Sequence, residues 1–259
     1  MSRRPLQIDC AGERLAATLD WAPGGTGLLI VTGGNEVRAG AWSGQAKLAA
    51  CVAAAGFPVL RYDRRGVGDS EGDNRGFLGS RDDLAAALAT FRASAPQLRR
   101  VVGFGNCDAA SALMLFAAEL SIDGLVLANP WAFDAAQEDG HAPAALRRRY
   151  RQKLFDPGEW RRLLTGGVDL RKLASGVRQA ARTAQPSGLS RDLRAGLARF
   201  AGPVAILVAE RDRTAQQFLS AWDPEDTRIR TLASASHSFA HEAARDWLLE
   251  TILEALRSL

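Results

Sequence analysis

A short apolar run, 101–104, leads into Gly105-Asn106-Cys107-Asp108-Ala109, and an alanine-rich segment follows at once. Nucleophile at the centre and small residues two positions away on either side is the spacing of a sharp strand-to-helix turn, where strand and helix pack closely. Cys107 is therefore a candidate nucleophile. At a helix N-terminus, unpaired backbone N–H groups favour a thiolate. The N–H of Asp108 points where negative charge develops on an attacked carbonyl oxygen. A thiol so used needs a base, and the chain has three histidines: His141, His237 and His241. A loop after the last apolar run can carry His237 to the sheet edge where Cys107 stands, whereas His241 reads as a helix-surface residue. The base needs an acid to fix its tautomer. The run 204–208 ends in Ala209-Glu210-Arg211-Asp212. Asp212, past the strand, is the choice, and Glu210 is the alternative.

These residues require a sheet whose loops converge on one edge. Leu6, Ile8 and Cys10 alternate with polar residues, and so do parts of 14–21, as in an opening antiparallel pair of strands. The apolar runs 28–31, 59–62, 101–104, 125–128, 204–208 and 227–232 read as strands, most of them buried on both faces. Between them, 45–55, 82–93 and a terminal segment with Trp247, Ile252 and Leu256 carry helical spacing. Strands alternating with helices predict an α/β fold, a mostly parallel doubly wound sheet. The stretch 129–203 is too long for one crossover helix. Its centre, 142–189, is helical in composition, with breaks at Pro157-Gly158, Gly166-Gly167 and Pro186-Ser187-Gly188. The expected organisation is a core over 1–131, an inserted helical cap over 132–196, and the rest of the core over 197–259.

Composition narrows the classes. With 259 residues, 47% hydrophobic and 24% charged, the chain is not disordered. No run approaches the roughly eighteen apolar residues of a membrane helix. Met1-Ser2-Arg3-Arg4-Pro5 has no apolar stretch behind it, so no signal peptide is expected. Three cysteines are too few for a disulfide scaffold and favour a reducing, cytoplasmic setting. Cys10 and Cys51 read as packing residues. No metal-ligand spacing and no phosphate-binding glycine loop occurs, so no metal and no cofactor are expected. A net charge of +4 does not point to nucleic acid. That average conceals eleven basic residues against three acidic ones in 142–189, a net +8 that leaves the remainder at −4. A solvated helical face is the plain explanation. The sharper one is that Arg147, Arg148 and Arg149 help to draw in an anionic substrate, carrier or lipid surface.

Two further segments complete a family pattern: Thr32-Gly33-Gly34-Asn35 after the first buried run, and Tyr62-Asp63-Arg64-Arg65-Gly66-Val67-Gly68-Asp69-Ser70. With the Cys107 turn, Asp212 and His237, they make the chain resemble the α/β-hydrolase superfamily over nearly its whole length. Gly33-Gly34-Asn35-Glu36-x-Arg38-x-Gly40, the Cys-Asp-Ala-Ala-Ser turn and the cap are similar, more narrowly, to the exosortase A system-associated hydrolases of the first type. Those are bacterial proteins encoded beside exopolysaccharide and protein-sorting genes. The resemblance implies a hydrolase-like cytoplasmic enzyme with a Cys-His-Asp triad. Its oxyanion donors would be the N–H of Asp108 and that of Gly34 or Asn35. Cys107 stands where the superfamily usually has Ser, Ala109 where it has a second Gly, and Thr32 where many members have His. Asp63, Arg64 and Arg65 are expected to shape their loop. An acyl-thioester intermediate suits a small-molecule or carrier-bound ester or thioester, and release to water or to another acceptor makes hydrolase and acyltransferase the two catalytic readings. A non-catalytic binding or scaffold module is the third.

Overall fold

The alternating N-terminal pattern forms a hairpin. β1 (Ser2–Cys10) pairs antiparallel with β2 (Glu13–Trp21), and Ala11 and Gly12 take positive φ at the turn. Ile8, Cys10, Leu15 and Leu19 point into the core. The computed structural model describes residues 2–133 and 188–259. In it, β3 (Thr26–Val31), β4 (Val59–Tyr62), β5 (Arg100–Asn106), β6 (Gly124–Ala128), β7 (Val204–Ala209) and β8 (Ile229–Leu232) join the hairpin. The sheet order is β1-β2-β4-β3-β5-β6-β7-β8. β2 meets β4 antiparallel, and every later pairing is parallel.

Successive side chains of a strand point to opposite faces, and both faces are buried here. Leu28, Ile30, Val102, Phe104 and Val126 face α1 (Gly44–Ala54) and α6 (Glu242–Arg257) through Val52, Leu248 and Ile252. Leu29, Val31, Leu125 and Leu127 face the opposite layer, with Leu84 and Phe91 of α2 (Arg81–Ser94), Leu113 of α3 (Asp108–Phe116), Leu193 of α4 (Gly188–Ala198) and Phe218 of α5 (Arg213–Ala221). The fold is α/β with a mostly parallel, doubly wound sheet, as the sequence predicts.

Three local differences have physical causes. Helix α5 is absent from the sequence reading, because its nine residues are short and bury only Ala215 and Phe218. Cys51 does not pack: it is exposed on α1, and the thiol borders a cavity. Helix α4 begins inside the range expected for the cap, yet Leu189 and Leu193 belong to the core, as Leu197 does. A Cβ at Gly196 would sit 2.3 Å from Met114 O, so α3 and α4 approach closely. His141, Arg147, Arg148 and Arg149, and most of the expected cap, lie outside the described residues.

Candidate active site

Cys107 stands between β5 and α3 with φ 62° and ψ −128°, a conformation that side-chain-bearing residues rarely adopt. The turn is fixed by its backbone. Cys107 N–H donates to Ala128 O at 2.9 Å, while Cys107 O accepts from Ala110 N at 3.1 Å and Trp131 N at 3.3 Å. Close approach explains the small neighbours. A Cβ at Gly105 would lie 2.6 Å from Ala109 C and 2.7 Å from Ala110 N. Ala109 itself is fully buried without conflict, so only the first of the two small positions demands glycine.

The sheet edge brings His237 and Asp212 together. His237 Nδ1 lies 2.9 Å from Asp212 Oδ2. Asp212 is held as the N-cap of α5, accepting from Thr214 N at 3.3 Å and Ala215 N at 3.0 Å. Glu210 ends on the same edge, but the acid at the imidazole is Asp212. The hydrogen bond to Asp212, followed by the one to Cys107, raises the His237 pKa to about 10 against the opposing effect of burial. His241 is the N-cap residue of α6 and is exposed.

Sequence reasoning missed a pair of asparagines that hold the His237 loop. Asn106 Nδ2 donates to His237 O at 3.0 Å. Asn129 Nδ2 reaches Asn106 Oδ1 at 2.9 Å and His237 O at 3.3 Å, and Asn129 Oδ1 accepts from Ala209 N at 2.9 Å. Asn129 is buried with φ 43°. The signal was present: Asn tolerates positive φ, and Asn-Pro after a strand marks a turn.

The glycine loop also meets the Cys107 turn. A Cβ at Gly33 would fall 2.6 Å from Asn106 O and 2.7 Å from Asp108 Oδ1. Gly34, at φ 54°, donates its N–H to Asp108 Oδ1 at 2.6 Å. Asp108, Gly34 and Asn35 are thus neighbours, but the Gly34 N–H already serves a carboxylate. The N–H groups of Asp108 and Asn35 have no acceptor among the described residues. Arg64 does more than shape its own loop: buried, it donates through Nη2 to Gly34 O and lies 3.4 Å from Asp108 Oδ2. Asp63 is a loop organiser, accepting from the backbone N–H groups of Arg38 and Asp69.

Cys107 and His237 open on a cavity of about 460 Å³ between the glycine loop, α1 and α6, with apolar walls from Leu48, Phe104, Phe239, Leu248 and Leu249. Among the described residues, no group of His, Cys, Asp and Glu is arranged for a metal ion, and no helix is long and apolar enough to cross a membrane.

A model of the alpha/beta hydrolase family matches residues 22–251. The chain belongs to this family. No curated protein matches it. Among solved structures, an alpha/beta hydrolase from Penicillium is 14% identical, with a TM-score of 0.66 over 100% of this chain and 99% of that one. An esterase of Pyrococcus furiosus is 15% identical, with a TM-score of 0.64 over 99% of this chain and 90% of that one. The thioesterase domain of the curacin biosynthetic pathway is 16% identical, with a TM-score of 0.57 over 98% and 100%. At these identities the likeness is one of fold. This alpha/beta hydrolase carries Cys at the turn and a His–Asp pair beside it.

Proposed function

We propose that the protein hydrolyses an ester or thioester through an acyl-enzyme on Cys107. The observation that carries this reading is the arrangement at the cavity floor: His237, bonded to Asp212 at 2.9 Å, also contacts Cys107. The reacting form is a thiolate–imidazolium pair, with the proton of Cys107 carried by His237. The thiolate attacks the carbonyl carbon, and a C–S bond forms as the C=O pair moves onto oxygen. The N–H groups of Asp108 and Asn35 receive that oxyanion. On collapse the bond to the leaving group breaks, and His237 gives its proton to the departing oxygen or sulfur. Water, deprotonated by His237, then attacks the thioester and returns Cys107 as thiolate.

The fold neighbours include an esterase and a thioesterase domain, and a thiolate departs readily from such an intermediate, an alcohol once His237 has protonated it. Three free thiols suit a reducing, cytoplasmic compartment. On the finer resemblance of the glycine loop and the Cys-Asp-Ala-Ala-Ser turn, we place the activity in bacterial exopolysaccharide or exosortase-linked metabolism.

A thiol-directed acyl probe should label Cys107, and a nitrophenyl ester should give a burst of nitrophenolate that disappears in Cys107→Ala. Labelling unchanged in His237→Ala would break the pairing of base and nucleophile. Neither label nor burst across straight-chain esters and thioesters would overturn the reading in favour of a binding module.

A further inference from the structure

The loops after β5, β7 and β8 carry Cys107, Asp212 and His237, and β6 runs between β5 and β7. The residue that follows β6 is Asn129, and it is fully buried. Its side chain bonds toward all three loops. Asn129 Oδ1 accepts from Ala209 N at 2.9 Å, at the end of the strand that leads to Asp212. A backbone N–H only donates, so this bond forbids a flipped amide and turns Nδ2 the other way. That nitrogen donates to Asn106 Oδ1 at 2.9 Å and to His237 O at 3.3 Å. With its oxygen so engaged, Asn106, which directly precedes Cys107, gives its own Nδ2 to His237 O at 3.0 Å. The His237 carbonyl thus has both lone pairs served by one pair of asparagines.

The His237 side chain is 44% exposed, so packing alone holds the ring loosely. Its loop has separate anchors, since Arg211 N–H donates to Ala235 O at 3.2 Å and Phe239 is buried. Loss of the asparagine bonds would therefore free His237 without releasing the loop. We propose that Asn129, with Asn106, is a positioning residue for the reaction: it sets the base loop against the acid loop and keeps His237 Nδ1 on Asp212. The inference rests on the acyl-enzyme reading and adds the device that holds its base in place. Asp212 and Cys107 are the ionisable groups that act on the ring, while Glu242 at the start of α6 is exposed. A base that drifts from Asp212 loses the largest cause of its high proton affinity, so its pKa falls.

The test reads the His237 ring by NMR titration, which needs no turnover, beside kcat and KM on an alkyl ester. Asn129→Gly removes the clamp and still allows the φ of 43°. Asn106→Ala removes one of the two donors and leaves the bond from Ala209 to Asn129 in place. In both, the midpoint should fall from about 10, by about one unit or more in Asn129→Gly. There kcat should drop about ten- to a hundredfold with KM little changed, the cost of a misplaced base. In Asp212→Asn, whose ring has already lost that partner, Asn129→Gly should move the midpoint little and kcat by less than about threefold. Should Asn129→Gly fail to fold, Asn106→Ala carries the same readings. An unmoved midpoint, effects that add in full to those of Asp212→Asn, or a lower midpoint with kcat unchanged overturns the inference and leaves the acyl-enzyme reading intact. A midpoint lowered as expected, in a protein whose Cys107 supports no turnover, keeps the clamp and removes the acyl-enzyme reading.

Discussion

In the proposed mechanism the chemistry turns on His237, because its proton must be kept for one step and released for the next. Asp212 is the largest cause of its raised pKa, Cys107 the second, and together they hold the proton to about pH 10. A raised pKa keeps the imidazolium through neutral pH and loses it only as pH climbs past that value. With an alkyl ester, whose alkoxide must be protonated to leave, kcat/KM should stay level through neutrality and fall near pH 10. Asp212→Asn removes the largest upward cause, so the alkaline limb should move toward neutrality by about one unit or more, with a lower plateau. A pH–rate profile on both proteins checks this, and an unmoved limb would detach Asp212 from the base. When Cys107 becomes a thioester its hydrogen bond to His237 is lost, and with it one cause of the high pKa. His237 can then act as a base toward water. That Cys107, His237 and Asp212 come together was legible in the sequence, because each follows a strand at one edge of a parallel sheet. The contact between the Gly34 amide and the Asp108 carboxylate was not. Nothing in a linear motif says that one oxyanion donor is already in use, or that Arg64 backs the pair.

At the scale of elements, β5 and α3 meet so closely that the turn between them tolerates one side chain and not another. Gly105→Ala would push a Cβ to 2.6 Å from Ala109 C and 2.7 Å from Ala110 N, both backbone atoms that cannot swing away. The expected cost is about 1–3 kcal/mol, typical of overpacking. It should be read as a lower Tm, with less Cys107 labelling per folded molecule because α3 is displaced. An unchanged Tm would mean that β5 and α3 separate easily, and that the turn owes its shape to Cys107 alone. Strands β3 to β7 and helices α2 and α6 were legible because each buries an apolar run or stripe. Helix α5 was hidden because Asp212, read as a loop acid, is also its N-cap. The misplacement of Cys51 has a similar origin: helical spacing shows which residues share a stripe, but not that the neighbouring space is an opening.

Charge is distributed unevenly over the molecule as a whole. The segment 142–189 carries a net +8 and the remainder −4. The cavity wall does not add to the attraction of anions, since Glu36, Glu242 and Asp246 outnumber Lys47 and Arg245 there. A neutral acyl group suits that wall, whereas an anionic carrier, such as a phosphopantetheine thioester, would be drawn by 142–189. Such long-range attraction acts on encounter more than on bound contacts, and salt screens it over about 10 Å at 0.1 M. With a phosphopantetheine thioester, kcat/KM should fall about tenfold between roughly 20 and 200 mM NaCl, while kcat changes little. A neutral thioester with the same acyl group should show no such slope. Replacing Arg147, Arg148 and Arg149 together with Glu should flatten the slope for the charged substrate and leave the neutral one unaffected. A charged substrate turned over independently of salt would make the basic segment a solvated surface. A slope that survives the triple replacement would assign the attraction to the segment's other cations, beginning with Arg151 and Lys153.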